Sequence, residues 1–189
     1  MATSRVNYLT YKGRAYYPWL QTPDTQFHDD GVYKTGLKVP ADQAREIMEA
    51  AKAVAVEALG IKRADNCRYP WKTDEETGEI IFTAKSRYKP KFFDSKGMLI
   101  PEGQVPRLYS GSVLRLKGSI TSYDKGANAG VLMNLSEVQV IEPVTEPQGT
   151  SEGFDAVDGG YTHQEAGAGF QDETPVNGPS SKEDFSADF

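Results

Sequence analysis

The chain has 189 residues, a quarter of them charged, and a formal net charge of −6. This length accommodates one domain of ordinary size plus an extension, and no apolar run reaches the roughly 18 residues that a membrane-spanning helix needs. One cysteine excludes an internal disulfide, and with two histidines it supplies too few ligands for a zinc site. Because no secretory signal pattern opens the sequence, we expect a cytoplasmic protein. Because the Cys and His ligands are too few, we expect neither a metal nor a cofactor.

An aromatic-rich segment opens the chain. Residues 5–20 combine five aromatic side chains with three cations. This composition predicts an extended arm or first strand, closed by the turn residues 22–24. We interpret Tyr17, Trp19 and Leu20 as core residues or as a cover over one end of a barrel. The alternative for Trp19 is contact with a ligand.

A strand and a helix follow this segment. Residues 31–39 alternate between apolar and polar positions, which predicts a half-buried strand with Lys34 and Lys38 on its exposed face. The next periodic stretch predicts a helix from about residue 42 to residue 59, ended by Gly60. Its apolar stripe consists of small residues, so we interpret the helix as structural and packed closely against a sheet.

Residues 67–93 carry the strongest functional signal. Two aromatic-basic clusters, 68–72 and 87–93, flank the short apolar stretch 80–82, which lies in a strand predicted over 79–88. The first cluster belongs to a predicted loop over 61–72. A cation beside a flat ring suits single-stranded nucleic acid, because the cation meets a phosphate and the ring stacks on an unpaired base for roughly 1–3 kcal/mol.

The remaining elements complete the body of the protein. Residues 91–100 read as a short hairpin. A long strand is predicted over 112–123, with Gly111 and Gly118 marking a bend or bulge of the kind that small barrels need at a corner. Short strands over 131–135 and 138–140 close the body.

The charge is divided unevenly along the sequence. Residues 1–141 hold 20 Lys+Arg and 16 Asp+Glu, a net +4, whereas residues 142–189 hold 1 Lys and 11 acids, a net −10. The body attracts a polyanion and the acidic segment imitates one. Hydrophobic residues occur only singly beyond residue 142, so we predict a folded domain over 1–142 and a disordered acidic tail over 143–189.

Sequence motifs for catalysis are missing. There is no phosphate-cradling glycine loop, no metalloprotease motif and no nucleophile elbow. The carboxylate groups at 29–30 and 74–76 lie in polar, turn-like stretches, where we interpret them as solvated turns. An enzyme is therefore not expected.

About five strands, one helix between them and a bulged long strand predict a mainly β protein, an OB-type five-stranded barrel with one α-helix, followed by the tail. On the segments 17–20, 31–40, 111–115 and 130–140, the sequence resembles the single-stranded DNA-binding proteins of tailed bacteriophages. The resemblance extends loosely over residues 5–141, and the acidic tail is similar in type.

That resemblance implies a groove that binds and protects single-stranded DNA, with little sequence preference, during phage DNA replication or recombination in the host cytoplasm. It also implies that the tail and its terminal aromatic residue recruit replication proteins such as polymerase, helicase or primase and compete with DNA. In this sequence the acids of the tail are spread out, which departs from the dense acidic block of the family. The sequence leaves open whether the chain forms a homodimer.

Two sets of candidate residues follow. The DNA-binding set consists of cations and stacking aromatics: Lys34, Lys38, Arg68, Tyr69, Trp71, Lys72, Lys85, Arg87, Tyr88, Lys89, Lys91, Phe92, Phe93, Arg115 and Lys117. The partner-binding tail set is Glu183, Asp184, Phe185, Asp188 and Phe189. Because about half of the aromatics in a small barrel are core, only two or three of the five stacking candidates are expected to touch bases. Phe82 is assigned to the core, and Tyr88 shares its strand parity.

Two other functions remain open from the sequence. One is a protein-protein adaptor of a replisome whose body and tail bind partners without nucleic acid. The other is an RNA-binding OB module, which differs from a DNA binder in its response to the 2′-hydroxyl group.

Overall fold

The computed structural model describes residues 4–26 and 30–144. The elements in chain order are β1 (Arg5–Leu9), β2 (Gly13–Asp24), β3 (Val32–Val39), α1 (Ala41–Leu59), α2 (Ile61–Ala64), β4 (Trp71–Thr73), β5 (Ile80–Ser86), β6 (Lys91–Phe93), a 3-10 turn (Glu102–Gln104), β7 (Val113–Lys125) and β8 (Asn128–Glu142).

Five of the strands form a closed ring. The order around it is β2, β3, β5, β8, β7 and back to β2, with antiparallel pairing everywhere except between β5 and β8. β1 extends the sheet beside β7, β4 pairs with β5, and β6 pairs with β8. This is the architecture of an OB barrel. The predicted mainly β fold with one main helix is confirmed.

Alternation along the strands fills the barrel. Leu37 and Val39 of β3 and Phe82 of β5 point inward and are buried, as are Leu114 and Leu116 of β7. Side chains of a strand point alternately to its two faces, so the residues between these are directed outward. The core assignment of Phe82 is confirmed.

The predicted bulge in the long strand also exists. The register between β7 and β8 shifts between Lys117 and Gly118. A Cβ atom on Gly118 would lie 1.8 Å from the carbonyl oxygen of Asn134, so a residue with a side chain cannot occupy this position without moving the neighbouring strand. The bulge lets the longest pair of strands curve around the barrel.

Helix α1 confirms the predicted helix to within a residue. Small side chains such as Ala44, Ala51 and Ala55 are buried along one face, where the helix packs against β7 and β8. The helix ends at Gly60, which has a φ of 78° and donates its N–H to the carbonyl oxygen of Val56. Within residues 4–26 and 30–144, no helix is long and apolar enough to cross a bilayer.

The structure differs from the predicted elements in three places. The predicted turn over 22–24 is wrong, because β2 continues through these residues to Asp24. The loop over 61–72 contains α2 and begins β4, and the two short closing strands are one continuous β8. The side chain of Gln21 ties this part of β2 to the segment before β7, since it donates hydrogen bonds to the carbonyl oxygens of Val105 and Pro106.

Candidate nucleic-acid interface

The outward surface of β2, β3 and β5 brings cations and aromatic rings together. Backbone register places Lys34 opposite Lys85 and Lys38 opposite Ile81 across the β3–β5 pair. On the other side of β3, Trp19 lies opposite Lys34, and β4 places Lys72 opposite Ile81. We call this surface the cationic face. Its members are Arg14, Tyr16, Trp19, Lys34, Gly36, Lys38, Lys72, Ile81, Thr83 and Lys85.

The cationic face includes the outward residues of β3 and β5, two neighbouring strands of the ring. β3 and β5 are the second and third strands of the ring in chain order. In OB folds, the surface of these two strands, with the loops between strands one and two and between strands four and five, binds oligonucleotides. The cationic face therefore lies on the surface that the architecture makes available for a nucleic-acid strand.

Tyr16 lies at the centre of the cationic face. The Nζ atom of Lys38 lies 4.9 Å from the centroid of its ring and that of Lys72 lies 5.6 Å from it, both within cation–π range. Gly36, opposite Tyr16, leaves the space that the ring occupies, because a Cβ there would lie 3.0 Å from the Cβ of Tyr16 and 3.3 Å from Ile81. Two ammonium groups thus lie within cation–π distance of one aromatic ring.

Both lysines of β3 pair with carboxylates. Lys34 pairs with Asp24, and Lys38 pairs with Asp74 in the turn before β5. The hydrogen bond between Lys38 and Asp74 raises the pKa of Lys38 and lowers the pKa of Asp74. The carboxylates hold the lysines in place and also neutralise part of their charge.

The sign of the Asp74 shift defines where this pair contributes to stability. Because the folded state has the lower Asp74 pKa, the contribution is present above the unfolded pKa of about 4 and is lost as pH falls through the folded pKa. For Lys38 the folded pKa is raised, so the contribution is present below the unfolded value and is lost as pH rises through the folded one. The pair is intact at neutral pH.

Most of the predicted stacking aromatics of the central segment pack against the protein. The rings of Tyr69 and Trp71 contact each other at 4.5 Å, and Trp71 lies edge-on to Phe82 with 6.3 Å between centroids. Burial is the main cause that raises the pKa of Tyr69 to about 12, and its hydroxyl donates to the carbonyl oxygen of Ala64. Phe92 is buried in the core at 3% exposure, where its ring has no face open to solvent.

Tyr88 is the exception among these aromatics. It is 83% exposed and lines an open cleft with Lys85, Arg87, Lys89 and Arg5. The cleft shares Lys85 with the cationic face, so the two surfaces are continuous. Within the cleft Lys89 pairs with a carboxylate, that of Glu102, whose pKa it lowers.

Arg115 and Lys117 lie elsewhere on the barrel. Both project from β7, which pairs with β1, β2 and β8 and not with β3 or β5. Arg115 donates from Nε to the carbonyl oxygen of Thr10, and Lys117 pairs with Glu137. These two cations tie neighbouring strands together.

The remaining candidates among the described residues, Arg68, Lys91 and Phe93, are not members of the cationic face. Arg68 bridges to Gly130 and lines a cleft with Lys62 beside the β7–β8 turn. Lys91 is exposed on β6, and Phe93 on the same strand is half-buried. The five tail candidates lie outside the described residues.

Sequence reasoning missed Arg14 and Tyr16 and misplaced Trp19. The interpretation of Tyr17 and Trp19 as core or cover is wrong, since they are 67% and 44% exposed, whereas Leu20 is buried as expected. Two irregularities in β2, on either side of Trp19, shift the alternation from which burial is predicted. A proline inside a predicted strand signals such a bulge, and Pro18 was the available sign.

Clustered metal ligands are absent from the described part of the chain. Among residues 4–26 and 30–144, no group of three or more His, Cys, Asp or Glu side chains could hold a metal ion.

The closed ring of five strands, with its parallel β5–β8 contact, places the barrel in the class of OB folds. Among solved structures, it is similar to gp2.5, a single-stranded DNA-binding protein of bacteriophage T7, with a TM-score of 0.64 and 22% identity over 85% of this chain and 100% of that chain. It is also similar to the single-stranded DNA-binding protein of bacteriophage Enc34 in complex with single-stranded DNA, with a TM-score of 0.57 and 15% identity over 73% and 89% of the two chains.

A second structure of the Enc34 protein matches over 77% of this chain and 86% of that chain, with a TM-score of 0.57 and 16% identity. No protein-family model matches the sequence, and no curated protein matches it either. The predicted resemblance to phage single-stranded DNA-binding proteins is confirmed at the level of the fold.

Proposed function

We propose that this protein binds and protects single-stranded DNA through the cationic face, without catalysis and with little sequence preference. The observation that carries the proposal is the cluster around Tyr16 of β2, where the ammonium groups of Lys38 and Lys72 both lie within cation–π distance of the ring, beside the outer surface of β3 and β5. Lys34 and Lys85 extend the positive charge along the same surface.

The chemistry of this surface suits an unpaired strand better than a duplex. The exposed ring of Trp19 offers a flat face for stacking, and every base has a face to stack on. The lysines offer point charges to phosphates, which are the same at every nucleotide. Neither kind of contact depends on the identity of the base, so little sequence preference is expected.

The wider role rests on the resemblance and on charge. We propose that the protein acts in phage DNA replication or recombination in the host cytoplasm, with residues 1–142 as the binding domain and residues 143–189 as an acidic tail. The tail, with a net charge of −9 over residues 143–189, would recruit replication proteins and compete with DNA for the basic body. The end of β8 at Glu142 supports that boundary.

Equilibrium titration with labelled oligo(dT) tests the binding itself. Fluorescence anisotropy should rise on binding, and the logarithm of affinity should fall with the logarithm of salt by about 0.7 for each phosphate contact. A matched RNA oligomer tests preference at the sugar. If neither oligomer binds at low salt, the proposal fails and a replisome adaptor becomes the better hypothesis.

Truncation after Glu142 tests the role of the tail separately. Removing nine net negative charges should strengthen binding at about 50 mM salt and have less effect at about 200 mM, because salt screens the competition. The control is the full chain in the same titrations. Equal or weaker binding by the truncated protein at low salt would contradict the competition while leaving DNA binding intact.

A further inference from the structure

Tyr17 has a backbone conformation that its side chain does not explain. Among the described residues it is the one non-glycine with a positive φ, at 46°. This region costs an L-residue roughly 1–2 kcal/mol. The ring is 67% exposed, so burial in the core does not offset that cost. Strained, exposed residues of this kind concentrate at binding sites.

The neighbouring segment holds Tyr17 in this conformation. The N–H of Tyr17 donates to the Oγ of Ser110 at 3.0 Å. Gln21 fixes the same segment from further along β2, since its side-chain amide accepts a hydrogen bond from the N–H of Leu108 and donates to two backbone carbonyls. The N–H of Gly111 donates to the carbonyl oxygen of Ala15. The segment over 105–111 is therefore tied along the edge of β2.

A shallow groove runs between β2 and this segment. Trp19, Pro18 and Thr22 line one side, and Arg107 and Tyr109 line the other. Its lining, all within the described part of the chain, includes no carboxylate. Across residues 4–26 and 30–144, Arg107 forms no ion pair, in contrast to Lys34 and Lys38.

The groove and the cationic face are continuous through Trp19. The ring of Tyr17 also contacts that of Tyr16, edge to face with 4.6 Å between centroids. A strand that lies over Lys34 and Tyr16 therefore reaches Tyr17 and Trp19 as it crosses β2. Beyond them Arg107 is exposed and unpaired among the described residues, so its charge is available to a phosphate.

We propose that Tyr17, Trp19 and Arg107 form a second subsite of the interface, the β2 subsite, which binds at least one further nucleotide of the same DNA strand. The rings stack on its base and Arg107 contacts its phosphate. This inference rests on the proposed function. It adds that the DNA path leaves the β3–β5 surface across β2 and that the subsite contributes only when the strand is long enough to reach it.

Affinities for a short and a long oligo(dT), of about 4 and about 12 nucleotides, provide the test. The variants are Tyr17→Gly and Arg107→Ala. Glycine adopts a positive φ without strain, so Tyr17→Gly should keep or raise the melting temperature while it removes the ring. Matched controls are Tyr11→Gly and Arg45→Ala, exposed residues on other parts of the chain.

We expect each β2 variant to weaken binding of the long oligomer by roughly 5-fold or more and to leave the short one within about 2-fold. Equal losses for both oligomers would place Tyr17 and Arg107 in the principal site and overturn the separate subsite. No loss for either would also overturn it. If the unaltered protein binds neither oligomer, the proposed function fails instead.

Discussion

The cationic face and the outer surface of β7 follow the same pattern in the sequence and differ in what surrounds them. Each has two cations on the outward face of one barrel strand: Lys34 and Lys38, four residues apart on β3, and Arg115 and Lys117, two residues apart on β7. On the cationic face Lys34 and Lys38 also pair with carboxylates, but the ammonium of Lys38 lies in addition 4.9 Å from the centroid of the Tyr16 ring. On β7 the corresponding groups bond to a backbone carbonyl and to a carboxylate of neighbouring strands.

The comparison teaches that alternation determines which side of a strand a residue occupies, whereas the neighbouring strands determine what it can do there. β3 lies between β2 and β5, whose outward residues include rings and further lysines. β7 is flanked by β1 and β8, which place no aromatic ring opposite Arg115 or Lys117 in the paired register. Outward cations therefore meet rings and further lysines on one surface and hydrogen-bond acceptors of neighbouring strands on the other.

A pair of double variants tests this comparison most strongly. Lys38→Ala with Lys85→Ala should weaken oligo(dT) binding roughly 50-fold at about 50 mM salt and reduce the salt slope by about 1.4, because two phosphate contacts are lost. Arg115→Ala with Lys117→Ala should leave both quantities nearly unchanged. Titrations by anisotropy at several salt concentrations measure both effects.

Both double variants remove two positive charges, so the difference between them reports position and not net charge. Equal losses would mean that binding follows the overall charge of the body, and the distinction between the two surfaces would be wrong. Circular dichroism of both proteins verifies that the barrel is intact.

The two tryptophans sharpen the comparison further. Trp19→Ala should weaken oligo(dT) binding roughly 10-fold through loss of a stacking ring. Trp71→Ala should instead lower the free energy of unfolding by about 2 kcal/mol, because its half-buried ring packs against Tyr69 and Phe82. Affinity and urea denaturation, measured on both variants, separate the two roles.

Tryptophan fluorescence provides an independent check with milder variants. Quenching by oligo(dT) should persist in Trp71→Phe and be largely lost in Trp19→Phe. The reverse result would return Trp71 to the interface and remove Trp19 from it.

Gly36 tests whether the position of Tyr16 matters. A methyl group on residue 36 would lie 3.0 Å from both the Cβ and the carbonyl oxygen of Tyr16, so Gly36→Ala should displace the ring and weaken binding roughly 3-fold. Gly103→Ala is the control, because a Cβ there meets no atom within 4 Å. Equal affinity of both variants and the unaltered protein would show that Tyr16 need not be held in place.

The regular parts of this fold were predictable because their periodicity is undisturbed. β3 alternates without interruption, and α1 has a clear apolar stripe and a glycine at its end, so both were placed to within a residue or two. The cations Lys34, Lys38 and Lys85 were found for the same reason, since their position on the outer face follows from strand parity.

The missed residues depend on features that a periodic pattern does not contain. The irregularities in β2 shift the parity around Trp19, so its exposure does not follow from counting residues. Burial of Phe92 depends on the pairing of β6 with β8, which are more than forty residues apart in the sequence and meet only after the barrel closes. Neither the bulges nor this long-range pairing has a unique local signature.

The smallest expected effect comes from the carboxylate that pairs with Lys38. Asp74→Asn keeps the oxygen that accepts the N–H of Glu76 and removes the charge that holds Lys38, so oligo(dT) binding should strengthen roughly 2-fold at low salt. Glu75→Gln, in the same turn, changes the net charge equally and should have less effect on affinity. An equal gain in both variants would mean that the effect comes from net charge and not from the release of Lys38. The advantage of Asp74→Asn should disappear as pH falls through the lowered pKa of Asp74, because protonation then removes the same charge from the unaltered protein. A pH titration of the affinity ratio therefore tests whether this carboxylate competes with phosphate for Lys38.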